Sequence, residues 1–97
     1  MDRKEPERVG DVLRVLLQES MLQDRMEELQ AAELWAKVVG PQIARECGKP
    51  AVRKGLMSVG VNNASLRHEL HMSRTRLKEM INNHLGKEVI KEIKFIS

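Results

Sequence analysis

Apolar positions in the first forty residues fall into two helical sets. Val9, Val12, Leu13, Leu16 and Leu17 recur at spacings of three, one, three and one, the stripe of an amphipathic helix. Met21 and Leu22 carry the apolar content slightly further, and the charged stretch Gln23-Asp24-Arg25 then reads as a connection. Leu29, Ala32, Leu34, Trp35, Val38 and Val39 predict a second helix, which Gly40-Pro41 must stop or kink. Proline has no amide to donate and disfavours helical backbone in the residue before it. Pro41 also suits the first turn of a short helix carrying Ile43 and Ala44. Ahead of these elements, residues 1–7 are charged and read as a flexible N-terminus, leaving 8–97 as a single domain.

After the turn signal Gly48-Lys49-Pro50 the period shortens to two. Met57, Val59 and Val61 alternate with Leu56, Ser58 and Gly60, which predicts a strand with one buried face. Ala51-Val52-Arg53 is its hairpin partner, joined through a tight turn at Lys54-Gly55. Asn62-Asn63 offers a cap for the longest helix, expected over 64–85, with Leu66, Leu70, Leu77, Met80, Ile81 and Leu85 on its core face and Ser73 as the polar exception. Gly86 stands where a left-handed cap is needed. A last strand sets Ile93 and Phe95 on one face and Lys94 on the other. The order predicts an α+β domain: two to three N-terminal helices, a β-hairpin, a long helix and a C-terminal strand, with a three-stranded sheet covered by helices.

Composition adds limits. A chain of 97 residues, 41% hydrophobic and 32% charged, is a single soluble globular domain rather than a disordered or membrane-spanning one. Cys47 has no second cysteine to pair with, and the charged start is not a secretory signal, so a cytoplasmic, reducing setting is expected. The net charge of +3 hides an asymmetry. Residues 1–48 hold 7 basic side chains against 10 acidic, whereas 49–97 hold 10 against 4. Lys49, Arg53, Lys54, Arg67, Arg74, Arg76 and Lys78 face only Glu69 within 49–78.

Local basic excess is the footprint that attracts phosphate backbones, although a solvated face kept charged for solubility has the same composition. Two further features favour the first reading. On the expected long helix Arg67, His71, Arg74 and Lys78 are spaced four, three and four apart, within about 60° of one face. Arg53 and Lys54 at the hairpin tip add cations from a second element. The candidate nucleic-acid-binding residues are therefore Lys49, Arg53, Lys54, Arg67, Arg74, Arg76 and Lys78. Trp35 and Phe95 are the only aromatics and both fall on core faces. Base stacking then has little to work with, and contact should run through the phosphate backbone of single- or double-stranded DNA with weak sequence preference.

Other chemistry finds little support. Cys47, His68, His71 and His84 lack the paired spacing of a metal site, and no cofactor is expected. No nucleophile elbow, phosphate-cradling glycine loop or cysteine–base pair is present, so the chain reads as non-enzymatic, with no small-molecule substrate and no membrane contact. The alternative to nucleic-acid binding is a protein–protein interaction adaptor, whose acidic first helices and exposed Met72 would meet a partner. No coiled-coil seam is read in this pattern.

Three stretches in order resemble the DciA-like family of bacterial replicative-helicase loaders. Leu34-Trp35-Ala36-Lys37-Val38-Val39-Gly40-Pro41-Gln42-Ile43-Ala44-Arg45 is similar to its signature helix pair, and Lys54-Gly55-Leu56-Met57-Ser58-Val59-Gly60-Val61 to its Gly-Leu-x-Val-x-Val strand. Asn63-Ala64-Ser65-Leu66-Arg67-His68-Glu69-Leu70 is similar to the start of its next helix, with Leu85-Gly86 and Ile93-Lys94-Phe95 following in order. The resemblance implies a KH-like domain that binds DNA and contacts the replicative helicase during initiation. Leu66 stands where the family often has tryptophan, and longer relatives continue past the final strand into a flexible tail. A Gly-x-x-Gly loop is missing, so KH-type clamping of nucleotides does not carry over.

Overall fold

The computed structural model describes the backbone of residues 4–97, with side chains from Val9 onward. The first three residues of the expected flexible terminus 1–7 therefore lie outside the described residues. The elements are α1 (Lys4–Val39), α2 (Pro41–Arg45), β1 (Ala51–Arg53), β2 (Leu56–Gly60), α3 (Ala64–Met72), α4 (Arg74–Leu85) and β3 (Glu92–Ile96). This is an α+β fold around a three-stranded mixed sheet, ordered β1-β2-β3.

Two expected boundaries are corrected. The two predicted N-terminal helices are one helix of 36 residues, with no connection at Gln23-Asp24-Arg25. Nothing in that stretch breaks a helix; the apolar stripe lapses because the helix meets polar partners there. Arg25 donates to Val52 O at 3.4 Å and pairs with Glu28 at 3.0 Å. Glu28 accepts the Lys54 amide at 2.9 Å, and Glu27 pairs with Lys87 at 2.8 Å. The expected long helix over 64–85 is in turn divided. Ser73 (φ −100°, ψ 8°) ends α3, donating its amide to Glu69 O and Leu70 O, and opens α4. Serine competes with helical hydrogen bonding, and here it marks a joint rather than a polar position on a continuous face. Met80, expected in the core, is more than a third exposed.

The remaining elements follow the sequence. Asn63 caps α3, its Oδ1 accepting the Leu66 amide at 3.0 Å, and Gly86 (φ 78°) closes α4 in the left-handed region. Lys54 (φ 50°) and Gly55 (φ 86°) form the tight turn of the hairpin. β2 pairs antiparallel with β1 and parallel with β3. The core joins Ala31 and Trp35 of α1 to Val52, Met57, Val59, Leu77, Ile81, Ile90 and Ile93. Phe95 packs beside it, its ring centroid 5.8 Å from that of Trp35.

Those contacts leave the first two-thirds of α1 outside the body. Residues 11–26 are exposed throughout, and the molecule measures 67 × 25 × 19 Å. Val9, Val12, Leu13, Leu16 and Leu17, which read as a core stripe, are each more than half exposed. Among the described residues, no helix is long and apolar enough to cross a membrane.

Candidate nucleic-acid interface

The pairing register decides which strand residues share a face. Val52, Met57 and Ile93 form one row and point into the core, as does Val59 further along β2. The intervening rows, Arg53–Leu56–Glu92 and Ala51–Ser58–Lys94, lie on the opposite face, ending at Gly60–Ile96. Among the described residues no helix covers that face: Ala51, Arg53, Leu56, Glu92, Lys94 and Ile96 are all exposed. Its middle is low because Ala51, Ser58 and Gly60 are small, so a ligand can approach the backbone there.

The α3–α4 joint forms one rim of this surface. A groove of about 400 Å³ is lined by His71 and Arg74 of the joint together with Leu56, Glu92 and Lys94 of the sheet. The break at Ser73 turns Arg74 back toward α3, where its Nη1 donates to His71 O at 2.8 Å and lies 3.2 Å from His71 Nε2. Arg74 is thereby held in one orientation while remaining exposed. Arg53 stands across the face on the edge strand, in the row containing Leu56 and Glu92. Among the described residues, three cations, Arg53, Arg74 and Lys94, thus border one shallow surface that holds a single acid, Glu92.

The other sequence candidates go elsewhere. The expected line Arg67–His71–Arg74–Lys78 is corrected, because the joint at Ser73 cuts it in two. Arg67 is half-buried and donates to Val61 O at 2.6 Å, tying α3 to the end of β2. Lys78 is half-buried on α4, in a groove shared with Lys87, Glu79 and Glu88. Arg76 is exposed in the first turns of α4. Lys49 lies on the α1 side of the hairpin, beside Met26 and Leu29. Lys54, at the hairpin tip, faces the acidic part of α1, in a groove with Asp24, Glu27 and Glu28.

Two of those acids, Glu27 and Glu28, are drawn toward the ionised form by their partners. The backbone amide of Lys54 holds the Glu28 carboxyl below the usual range, with help from Arg25 and from the charge of Arg53. Its hydrogen bond with Lys87 does the same for Glu27 and raises Lys87 in return. Lys54 thus sits among acids that Lys87 and Lys91 only partly offset, whereas Arg53, Arg74 and Lys94 share the open sheet face with Glu92.

Lys94 was absent from the sequence candidates, although the strand alternation already put it opposite Ile93 and Phe95. What was missing was the parallel β2–β3 register, which brings it level with Ser58 and beside the joint. Cys47 is half-buried, and burial, followed by the nearby Glu46 charge, pushes its thiol up against the opposing influence of the Trp35 indole. A neutral thiol there is a packing group and a poor nucleophile. That indole nitrogen is buried and meets no acceptor in standard hydrogen-bond geometry, so the sulfur beside it is at most a weak partner. Among the described residues no three His, Cys, Asp or Glu side chains gather closely enough to hold a metal ion.

Comparison with known proteins gives one assignment. The family model described as Dna[CI] antecedent, DciA, matches residues 8–95. No curated protein shows significant similarity to the chain.

Proposed function

The chain belongs to the DciA family of helicase-associated replication accessory proteins, and from that membership we propose that it is a non-enzymatic DNA-binding module that assists the bacterial replicative helicase during initiation. DNA is held by its phosphate backbone. The observation that carries this reading is the uncovered sheet face bordered by Arg53, Arg74 and Lys94. Guanidinium and ammonium groups at the edges of a shallow surface with a small-residue floor suit a charged backbone lying across it. Among the described residues the surface offers no fully exposed Phe, Tyr or Trp ring for base stacking, Phe95 being half-buried, which favours weak sequence preference.

Fluorescence anisotropy with labelled single- and double-stranded DNA at two salt concentrations tests the proposal. Affinity should fall steeply with salt, and each of Arg74→Glu and Lys94→Glu should lower the salt slope by about one unit. Lys37→Glu, on α1 beside His84 and Leu85 and away from the sheet, should change little. Unchanged affinity in the Arg74→Glu, Lys94→Glu double variant with the fold intact would move the site elsewhere. Absence of binding at low salt would leave the adaptor reading, which the exposed apolar half of α1 favours.

A further inference from the structure

The projecting half of α1 carries two apolar lines, and only one continues toward the body. The line of Val9, Leu13, Leu16 and Leu17 stops at Ser20 and runs into Asp24 and Glu27. The other consists of Val12, Val15, Leu22, Met26 and Leu29, each exposing half or more of its surface. With Glu19 filling the gap, its spacing alternates three and four over about two and a half heptads, the period of a helix–helix seam. It lies roughly 150° round the helix from Ala31, Leu34, Trp35 and Val38, which pack on the body. At its inner end the line opens into a mostly apolar groove of about 450 Å³ lined by Met26, Leu29, Gln30, Glu33, Lys49 and Pro50.

We infer that this line is a self-association seam, occupied by the same line of a second copy running antiparallel. One register pairs Val12 with Leu29, Val15 with Met26 and Glu19 with Leu22, and the reverse pairs follow by symmetry. The patch is then complementary to itself, as an isologous two-fold contact requires. In that register the second copy's Val12 reaches the groove beside Leu29. Its Asp11, one residue earlier, arrives level with Gln30, where Lys49 offers the opposite charge. A parallel pair would instead stack Glu19 on Glu19 and Glu33 on Glu33 within the seam, a like-charge clash in two layers.

The size of the seam sets its strength. Five half-exposed aliphatic side chains from each copy, with the stems of Gln18, Gln23 and Arg25 along their flanks, bury a total on the order of 1,000 Å². That is where specific interfaces begin, and it fits a dimer that forms in the micromolar range. The inference rests on α1 and the groove it shares with Lys49 and Pro50, away from the open sheet face, and is independent of the DNA-binding proposal.

Sedimentation of the full chain without DNA, from about 1 to about 200 µM, reads it directly. The weight-average mass should climb from 11.1 kDa toward the dimer value. Leu22→Glu should hold the chain monomeric throughout, with circular dichroism confirming that the helix persists. Glu19→Leu, which replaces the charged position in the middle of the seam, should tighten association by roughly tenfold. In a Cys47→Ala background, a mixture of Val15→Cys and Met26→Cys proteins should form disulfides between the two variants, because antiparallel copies set position 15 against 26. A wild-type monomer at the highest concentration, or a dimer indifferent to Leu22→Glu, overturns the seam. Disulfides joining Val15→Cys to itself overturn the antiparallel register.

Discussion

Asn82 holds the approach to β3. From α4 its Nδ2 donates to Ile90 O at 2.9 Å, while its Oδ1 accepts the amides of Val89 at 3.0 Å and Ile90 at 2.9 Å. Ile90 is fully buried, so water has poor access to the backbone groups that Asn82 satisfies. Asn82→Ala strands two donors and one acceptor. At roughly 1 kcal/mol for each bond, the loss is about 3 kcal/mol. For a domain of this size that is a large part of its stability and lowers the melting temperature by roughly 10–20 °C. Asn82→Asp keeps both acceptor contacts and loses only the donation to Ile90, so it should cost about 1–2 kcal/mol. Urea titration and thermal melts followed by circular dichroism measure both. The consequence extends to the open face, because the same loop delivers Lys94 to its place beside Ser58. A loss below about 0.5 kcal/mol for Asn82→Ala would refute the argument, since the stranded groups would then be finding other partners at no cost.

Two further outcomes follow from the contacts around the hairpin. Glu27 and Glu28 both have carboxyl groups held below their ordinary value of 4.5, so the folded chain binds fewer protons there than the unfolded chain. Their contribution is complete above that value and disappears as pH falls through the lower folded values; melting temperature should drop across that acidic window, and Glu28→Gln should flatten the drop. Gly55→Ala should destabilise by about 1–2 kcal/mol, because φ is +86° and the new Cβ would lie 3.0 Å from the Lys91 side chain. Thermal melts of Gly55→Ala measure this loss directly.

Much of the fold was legible because local chemistry and tertiary structure agreed. Gly40-Pro41, Lys54-Gly55, Asn63 and Gly86 each require a particular backbone, and each takes it. The alternation of Met57 and Val59 likewise fixed which face of β2 is buried. The failures share a cause. A lapse in hydrophobic periodicity marks a change of partner, not the end of a helix, so Gln23-Asp24-Arg25, whose arginine donates to Val52 O, looked like a connection. The joint at Ser73 failed in the opposite sense, since Leu70 and Leu77 keep a helical spacing across a break and both are buried. Splitting α1 also divided Val12 and Val15 from Met26 and Leu29, which hid their common line. On the candidate interface Arg53 and Arg74 could be read from charge alone. Grouping them with Lys94 needed the parallel register of β3, a long-range pairing that no local window contains.

α1 also joins two thermodynamic regimes in one hydrogen-bonded ladder. A helical segment of this length standing alone would be marginal in water, because closing its first turn is unfavourable by a factor of about 10³. Here the turns around Ala31 and Trp35, locked by the core, supply that nucleus. Each residue from Met26 outward to Val9 adds only a propagation step, whose equilibrium constant is close to one for ordinary helix formers. Order along the arm therefore declines gradually toward Val9 instead of melting as a unit, and amide exchange should record a gradient with no boundary. A ligand that engages the outer turns meets a helix already nucleated by the body, and binding extends an ordered segment instead of creating one.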